Sequence, residues 1–300
     1  VGADKYSDYR EQLISWEEYD KTKELFGQQV NLPVEGKEFV SSLKAQMEKA
    51  IADTDNTFLE NQFVRIVNNE PVISKIEKIK YPEQKKEIED LISERLEPIN
   101  ILDIITDTDY WLKWTKHFGL LSGHESKMEN PTARYILSTF CYGCNIGPTQ
   151  TVRSLEELTR KHLSWTNQQH ITEDKIDKAV FQLINAYNSL DLPRVWGSGK
   201  RSSTDGTKWD LYDKNLLSEY HIRYGGYGGI GYYHVSDKYI ALFSRFIPCG
   251  TWEGVYLLDI LQNNKSEIQP DTFHGDTQSQ NGPIFGLSYL LGINLMPRIR

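Results

Sequence analysis

Three hundred residues, 39% hydrophobic and 12% aromatic with 25% charged, supply a packed core and exclude a disordered chain. A net charge of −8 excludes a polybasic nucleic-acid coat, and no apolar run approaches the ~18–20 residues of a membrane span. Three cysteines, an odd number, argue against a disulfide framework and for a reducing cytoplasm, and no signal peptide opens the chain. It starts Val1-Gly2-Ala3 without methionine and is expected to be a piece of something longer. The acid excess sits early: residues 1–100 hold 14 Lys+Arg against 21 Asp+Glu, and residues 101–300 hold 20 against 21. A polyanion would meet less repulsion in the later part.

In chain order, Lys37–Ile51 places Phe39, Val40, Leu43 and Met47 on one helix face. Val64–Val67 and Val72-Ile73 predict a hairpin across Asn68-Asn69. Glu83–Leu96 reads as an amphipathic helix that Pro98 ends. Ile101–Phe118 and Ala133–Cys144 read as buried helices, with the aromatics at 110, 111 and 114 in the core and Cys141 and Cys144 as buried thiols. Ser154–His162 and Glu173–Leu190 are predicted amphipathic helices, the second opened by Thr172. After Pro193 the texture changes. Tyr232–Val235 and Tyr239–Ile247 predict a hairpin around Ser236-Asp237, and Thr251–Leu261 has a helical period. Thr272–Thr277 is a predicted strand, Pro283–Leu291 a helix and Ile293–Met296 a short strand, an order compatible with a mixed sheet bearing helices. The fold class is therefore mixed: a mostly helical N-terminal region followed by an α/β domain.

Asp205 lies at the first strand of that domain and Asp276 at the end of the fourth. If those strands are neighbours, the two carboxylates face each other and need a cation, for which oxygen-rich pairs suit Mg²⁺. The plainer reading is a pair of turn aspartates beside glycine. Gly226-Tyr227-Gly228-Gly229-Ile230-Gly231 matches the dinucleotide spelling, but a β-rich run follows where a helix is required, so a flexible hairpin approach is expected. Gly197-Ser198-Gly199-Lys200 fails as a phosphate loop, because Arg194 stands at the required glycine and Arg201 at the Ser/Thr. Lys200 and Arg201 remain as candidate phosphate contacts. Cys141-x-x-Cys144 has only Cys249 to join it, too few ligands for a structural zinc, and the seven histidines show no metal spacing.

Several ordered segments then carry a resemblance: Ser202-Ser203-Thr204-Asp205-Gly206, Tyr232–Tyr239 (YYHVSDKY), His274-Gly275-Asp276-Thr277 and Leu290–Arg300 (LLGINLMPRIR), preceded by Asp107–Trp111, His117-Phe118 and Cys144–Pro148. Together they resemble the catalytic core of the Tn-three family of bacterial replicative transposases, from about residue 95 onward. The resemblance implies a partial ribonuclease-H-like domain over 193–300 with a mixed sheet, a helical scaffold or dimerisation domain over 96–192, and a helical linker with the hairpin over 1–95. It implies a three-acid (DDE), Mg²⁺-dependent polynucleotidyl transferase, with Mn²⁺ able to substitute in a two-metal site. Asp205 falls on the first acid and Asp276 on the second. No Asp or Glu follows Asp276, so the third acid is expected beyond this chain and the chain alone is expected to be inactive. Gly275 and Gln278-Ser279-Gln280 depart from the commonest pattern around the second acid.

The implied reaction is hydrolysis at transposon 3′ ends followed by strand transfer into target DNA, with Lys200, Arg201 and Arg298 as weak DNA contacts. The implied partners are transposon-end and target DNA and a second copy in the full-length protein, in the bacterial cytoplasm at the nucleoid and without membrane. Two competing readings are a non-catalytic DNA-binding or assembly module and a glycosidase using a carboxylate pair, the second opposed by the small Gly/Ser surroundings of Asp205.

Overall fold

Ser15 opens the first helix of the computed structural model, which describes residues 13–74, 80–124, 127–259 and 263–298. The serine hydroxyl accepts from the Glu18 amide, and Glu17 and Glu18 sit where the helix dipole favours acid. This helix, α1 (Trp16–Val30), was not among the predicted elements and ends at Asn31 in the left-handed region. α2 (Gly36–Thr57) follows. Then β1 (Val64–Val67) and β2 (Glu70–Ile73) pair antiparallel, and Asn68 and Asn69, both at positive φ, form the two-residue turn such a hairpin requires. α3 (Lys85–Arg95) completes the first of two compact units, residues 1–96. No residue of α2 or α3 is buried.

The second unit spans residues 97–300. α4 (Ile101–Leu112) starts at Asn100, whose side chain accepts from the Leu102 amide. It stops at Lys113, a left-handed residue, and a short 3₁₀ turn carries Trp114 inward. The expectation of a buried helix with three core aromatics is therefore corrected: Trp114 is 7% exposed, whereas Tyr110 and Trp111 are 73% and 72% exposed. The helix ends before Trp114, which enters the core from the 3₁₀ turn that follows the left-handed Lys113. α5 (Pro131–Gly143) buries Cys141 but leaves Cys144 exposed, because Cys144 is the residue that ends the helix. α6 (Pro148–Thr151) is one turn long.

α7 runs Arg160–His170, later than the predicted Ser154–His162, because the Thr159 hydroxyl and the His162 ring cap its start reciprocally. α8 (Glu173–Asn188) begins after Thr172 as expected, although the Thr172 side chain makes no capping bond. Trp114, Phe118, Tyr135, Ile136 and Ala179 form the helical core.

Past α9 (Leu192–Trp196) come β3 (Arg201–Asp210), β4 (Glu219–His221), β5 (Gly226–Ser236), β6 (Ala241–Pro248), β7 (Thr272–His274), α10 (Gly282–Leu290) and β8 (Asn294–Leu295). They form one mixed sheet in the order β4-β5-β3-β7-β8, with β6 also on β5. β5 is antiparallel to β3, β4 and β6, while β7 runs parallel to β3 and β8 parallel to β7. The expected hairpin around Ser236-Asp237 is present as β5–β6. The glycine run is not a flexible approach. It is the first half of β5, hydrogen-bonded on both sides, and a Cβ on Gly229 would collide with the Phe246 ring. Of the predicted Thr251–Leu261 helix, Glu253–Leu258 is a 3₁₀ turn and residues 260–262 lie outside the described residues.

Period-2 alternation sets the sheet's inner face. Ser202 and Thr204 of β3 are buried, as are Ile230, Tyr232, His234 and Ser236 of β5. Beneath them a core of Ile184, Leu242, Leu257, Ile268, Phe273 and Ile293 joins α8 to the sheet. Each fully buried side chain of this size contributes roughly 1.5–3 kcal/mol. α8 thus serves both cores, Ala179 in one and Ile184 in the other.

Candidate active site

Asp205 sits mid-way along β3, exposed on the sheet's outer face, and its Oδ1 accepts from the Gly206 amide at 2.8 Å. Asp276 lies two residues past the end of β7, half-buried, and its Oδ1 accepts from the Gln278 amide at 2.9 Å, capping a short turn. The parallel ladder pairs Arg201 with Thr272, Ser202 with Phe273 and Ser203 with His274. The ladder ends there, two residues before Asp276 begins a 3₁₀ turn; extended by two residues in the same register it would bring Asp276 level with Asp205, about one interstrand spacing (~4.8 Å) away in the backbone. Each carboxylate then keeps its second oxygen for a ligand.

The buried Phe273 anchors this geometry, being 0% exposed in the core under β7. One strand further out, the backbone continues the ladder beyond β8: Met296 N–H donates to Phe273 O, and Arg298 N–H donates to Gly275 O at 2.9 Å. Arg298 is therefore held beside the Asp276 turn. Ile299 and Arg300 of the same motif lie outside the described residues.

Lys200 and Arg201 are placed elsewhere. They lie at the other end of β3, where Arg201 is four residues and ~13 Å from Asp205, so they are not beside the carboxylates. Arg201 lines an open groove with Trp196, Ser203, Val235, Tyr239 and His274 on the same outer face. The Gly197-Ser198-Gly199 stretch is already occupied: the Ser198 and Gly199 amides donate to the Asp237 carboxylate at 3.0 and 2.7 Å. Those amides hold a side chain of the neighbouring hairpin, which is why the motif cradles no phosphate.

Sequence reasoning missed a third carboxylate. Glu253, half-buried in the 3₁₀ turn after β6, lies over Gly206, where an added Cβ would collide with its Oε2. Burial, and then the charges of Asp276 and Asp205, push its carboxyl above the ordinary carboxylate range, opposed by Arg223 and a hydrogen bond from Gln278. Tyr232, buried beneath, has its phenol pushed up by burial, with Asp276, Glu253 and Asp205 adding to the effect and Thr204 opposing it. No periodicity marks Glu253; its sequence signal is only a lone acid in an apolar run.

Among the described residues no group of three or more His, Cys, Asp or Glu stands close enough to hold one metal ion. The donor set is two hard carboxylates, which suits Mg²⁺ because that ion takes one or two carboxylates and keeps several waters.

A family model described as Tn3 transposase DDE domain matches residues 103–300. The transposase for transposon gamma-delta of Escherichia coli (strain K12) is 26% identical over 304 residues, covering 99% of this chain and 30% of that protein. The transposase for transposon Tn1546 of Enterococcus faecium is 26% identical over 100% of the chain and 30% of its own length. The transposase for transposon Tn501 of Pseudomonas aeruginosa is 30% identical over 223 residues, 73% of the chain and 22% of its own length. The chain thus spans about a third or less of the length of the curated relatives it matches. A match that runs through most of the chain, across the strands that carry Asp205 and Asp276, makes it a member of the Tn3 transposase family through its DDE domain.

Proposed function

We propose that this chain is part of a DNA transposase that cleaves transposon 3′ ends and joins them to target DNA, with Asp205 and Asp276 as two of its three catalytic carboxylates. The observation that carries the reading is the β3–β7 parallel register, which, extended two residues past its last pair, would bring Asp276 level with Asp205 on the neighbouring strand. The strand order β6-β5-β3-β7-β8, three antiparallel strands followed by two parallel ones, supports a ribonuclease-H-like domain. Family membership supports the reaction class.

Asp205 and Asp276 would hold Mg²⁺, or Mn²⁺ in its place, through the oxygens left free by the Gly206 and Gln278 amides. When bound, the metal supplies charge stabilisation and an activated water for in-line phosphoryl transfer. Arg298, beside the Asp276 turn, is placed to meet a phosphate near the reacting bond, while Lys200 and Arg201 would contact backbone further along the outer face. Residues 96–192 would act as a helical scaffold. The full-length protein works on DNA as a dimer in the bacterial cytoplasm, at the nucleoid. No described helix is long and apolar enough to cross a membrane.

The test is strand cleavage and transfer by the full-length protein on a labelled transposon end with Mg²⁺. Asp205→Ala and Asp276→Ala are each expected to abolish both steps while DNA binding persists. Cleavage retained by either variant refutes the assignment and leaves the assembly-module reading.

A further inference from the structure

Tyr239 stands where neither its backbone nor its packing accounts for a tyrosine. It lies in the turn between β5 and β6 at φ 61°, a left-handed conformation that suits glycine or asparagine and strains a bulky residue. Its side chain is 76% exposed, so burial does not offset that strain. The turn around it is tied down from several sides. Tyr239 N–H donates to Ser236 O and Ser236 N–H to Ile240 O, both at 2.9 Å, and Asp237 N–H donates to Arg201 O at 3.0 Å. The Tyr187 hydroxyl, from α8, donates to Lys238 O at 2.8 Å.

Trp196, the last residue of α9, meets the Tyr239 ring edge to face, 5.7 Å between centroids and 80° between planes. Gly197 allows this approach, since a Cβ there would collide with the side chain and backbone of Asp237. The two rings and Arg201 line one groove of about 530 Å³, within the ~300–1,000 Å³ of ligand clefts. Along the strands the groove extends to Ser203 and His274, which pair across β3 and β7 and each precede a proposed catalytic aspartate by two residues. Among the described residues Arg201 makes no ion pair, whereas Asp237, the carboxylate lining this groove, already accepts from the Ser198 and Gly199 amides.

We infer that Trp196 and Tyr239 form a stacking platform for an unpaired DNA base, with Arg201 on the adjoining phosphate, beside the strand that enters the acid pair. This rests on the reading of the chain as part of a DNA transposase. Two rings near a right angle make a corner that takes a flat ring by face and edge, and stacking of this kind tolerates any base. A base reaches the corner only outside the duplex stack, at least cost where the DNA is already single-stranded. Arg201 lies ~13 Å along β3 from Asp205, about four steps of ~3.4 Å in a stacked strand, so the gripped nucleotide is a few positions from the reacting bond.

The experiment measures binding of the 300-residue chain, without metal, to an oligothymidylate and to an abasic strand of equal length by fluorescence anisotropy. The parent is expected to favour the base-bearing strand at least about tenfold. Trp196→Ala and Tyr239→Ala should each lose about tenfold on the oligothymidylate, the scale of one stacking contact, and nothing on the abasic strand. Tyr239→Phe keeps the ring and should bind within about twofold of the parent. Tyr239→Gly should bind as weakly as Tyr239→Ala while its Tm stays no more than about 2 °C below the parent's, because glycine removes the left-handed strain. Arg201→Gln should weaken both strands alike and make the salt dependence shallower by about one phosphate contact.

Equal binding of the two strands by the parent overturns the platform, as do aromatic variants that bind the oligothymidylate as the parent does, or a parent that binds neither strand. A Tyr239→Gly that loses stability along with affinity also overturns it, because the ring would then serve the fold. None of these outcomes touches the acid pair, which stands or falls on cleavage by the Asp205→Ala and Asp276→Ala proteins. Cleavage retained by those proteins together with base-dependent binding would remove the pair and leave the groove as the nucleotide site of an assembly module.

Discussion

His234→Phe should remove a defined portion of this protein's acid sensitivity. The His234 ring is 0% exposed, and its Nε2 lies 3.1 Å from the Leu257 carbonyl, so Nε2 carries the proton and Nδ1 is the bare nitrogen. Nδ1 has no hydrogen-bond partner among the described residues, and the rings of Tyr232, Phe243 and Phe273 pack around the imidazole. Charging the ring would bury a second N–H without an acceptor. Burial therefore lowers its pKa to about 4, against the opposing pull of the backbone carbonyls. The unfolded chain takes up this proton near pH 6.5, before the folded chain does. Stability is thus complete above pH 6.5, is lost as pH falls toward 4, and changes no further in this contribution below that.

The gap between 6.5 and about 4, at ~1.4 kcal/mol per pH unit, corresponds to ~3 kcal/mol. Phenylalanine suits the aromatic surroundings and does not titrate. It gives up the Leu257 bond, at about 1 kcal/mol at every pH. Urea unfolding of the 300-residue chain between pH 7.5 and 4 measures both proteins. The parent's advantage over His234→Phe should fall by about 3 kcal/mol across that range and reverse sign at the acid end. Parallel profiles would refute the reasoning, because they would mean that the buried ring is protonated as readily as a free one.

Phe273→Ala should cost about 3–5 kcal/mol by opening a cavity under β7, and it should disturb Mn²⁺ binding as well, since the same strand leads to Asp276. Asp237→Ala strips acceptors from the Ser198 and Gly199 amides and should lower thermal stability by about 1–3 kcal/mol, whereas Trp111→Ala, at an exposed site, should stay within about 0.5 kcal/mol. Ellman's reagent should modify Cys144 rapidly in the native protein and reach Cys141 and Cys249 only on unfolding; three fast thiols would contradict the burial described.

What the sequence made legible follows from the range of the forces involved. The hairpin at Asn68-Asn69 and the helices at α2, α3 and α8 depend on neighbours within one turn, and they stand where local pattern set them. Aspartates 71 positions apart could be paired only by supposing that the first and fourth strands lie together, and β3 and β7 do. The errors fall where a distant partner decides. The glycine run 226–231 spells a loop, yet its missing side chains are what allow β3, β6 and the Phe246 ring to close around it. Tyr110 and Trp111 look like core by composition, but a single left-handed residue, Lys113, sends Trp114 inward and leaves them outside. Lys200 and Arg201 neighbour Asp205 in the chain, and an extended strand carries them about 13 Å away, while Arg298, some ninety residues later, is held next to Asp276 by one backbone hydrogen bond.

Glu253 shows why a site of this kind resists reading from its motif alone. A carboxylate beside two others is unfavourable in isolation, since each raises the energy of the next. Here burial and two like charges act on Glu253 together, and only Arg223 and Gln278 oppose them. A divalent cation held by Asp205 and Asp276 would offset their charge at Glu253, so the repulsion is greatest in the metal-free chain. The glycine at 206 then has a physical reason beyond its place in a recognisable segment: any side chain there would collide with the Glu253 carboxylate and with Ile230. Removing this carboxylate should therefore relieve a repulsion in the metal-free chain. In urea unfolding, Glu253→Ala, which relieves the repulsion, is expected to leave the metal-free chain no less stable, and a markedly less stable protein would show that Glu253 serves packing instead.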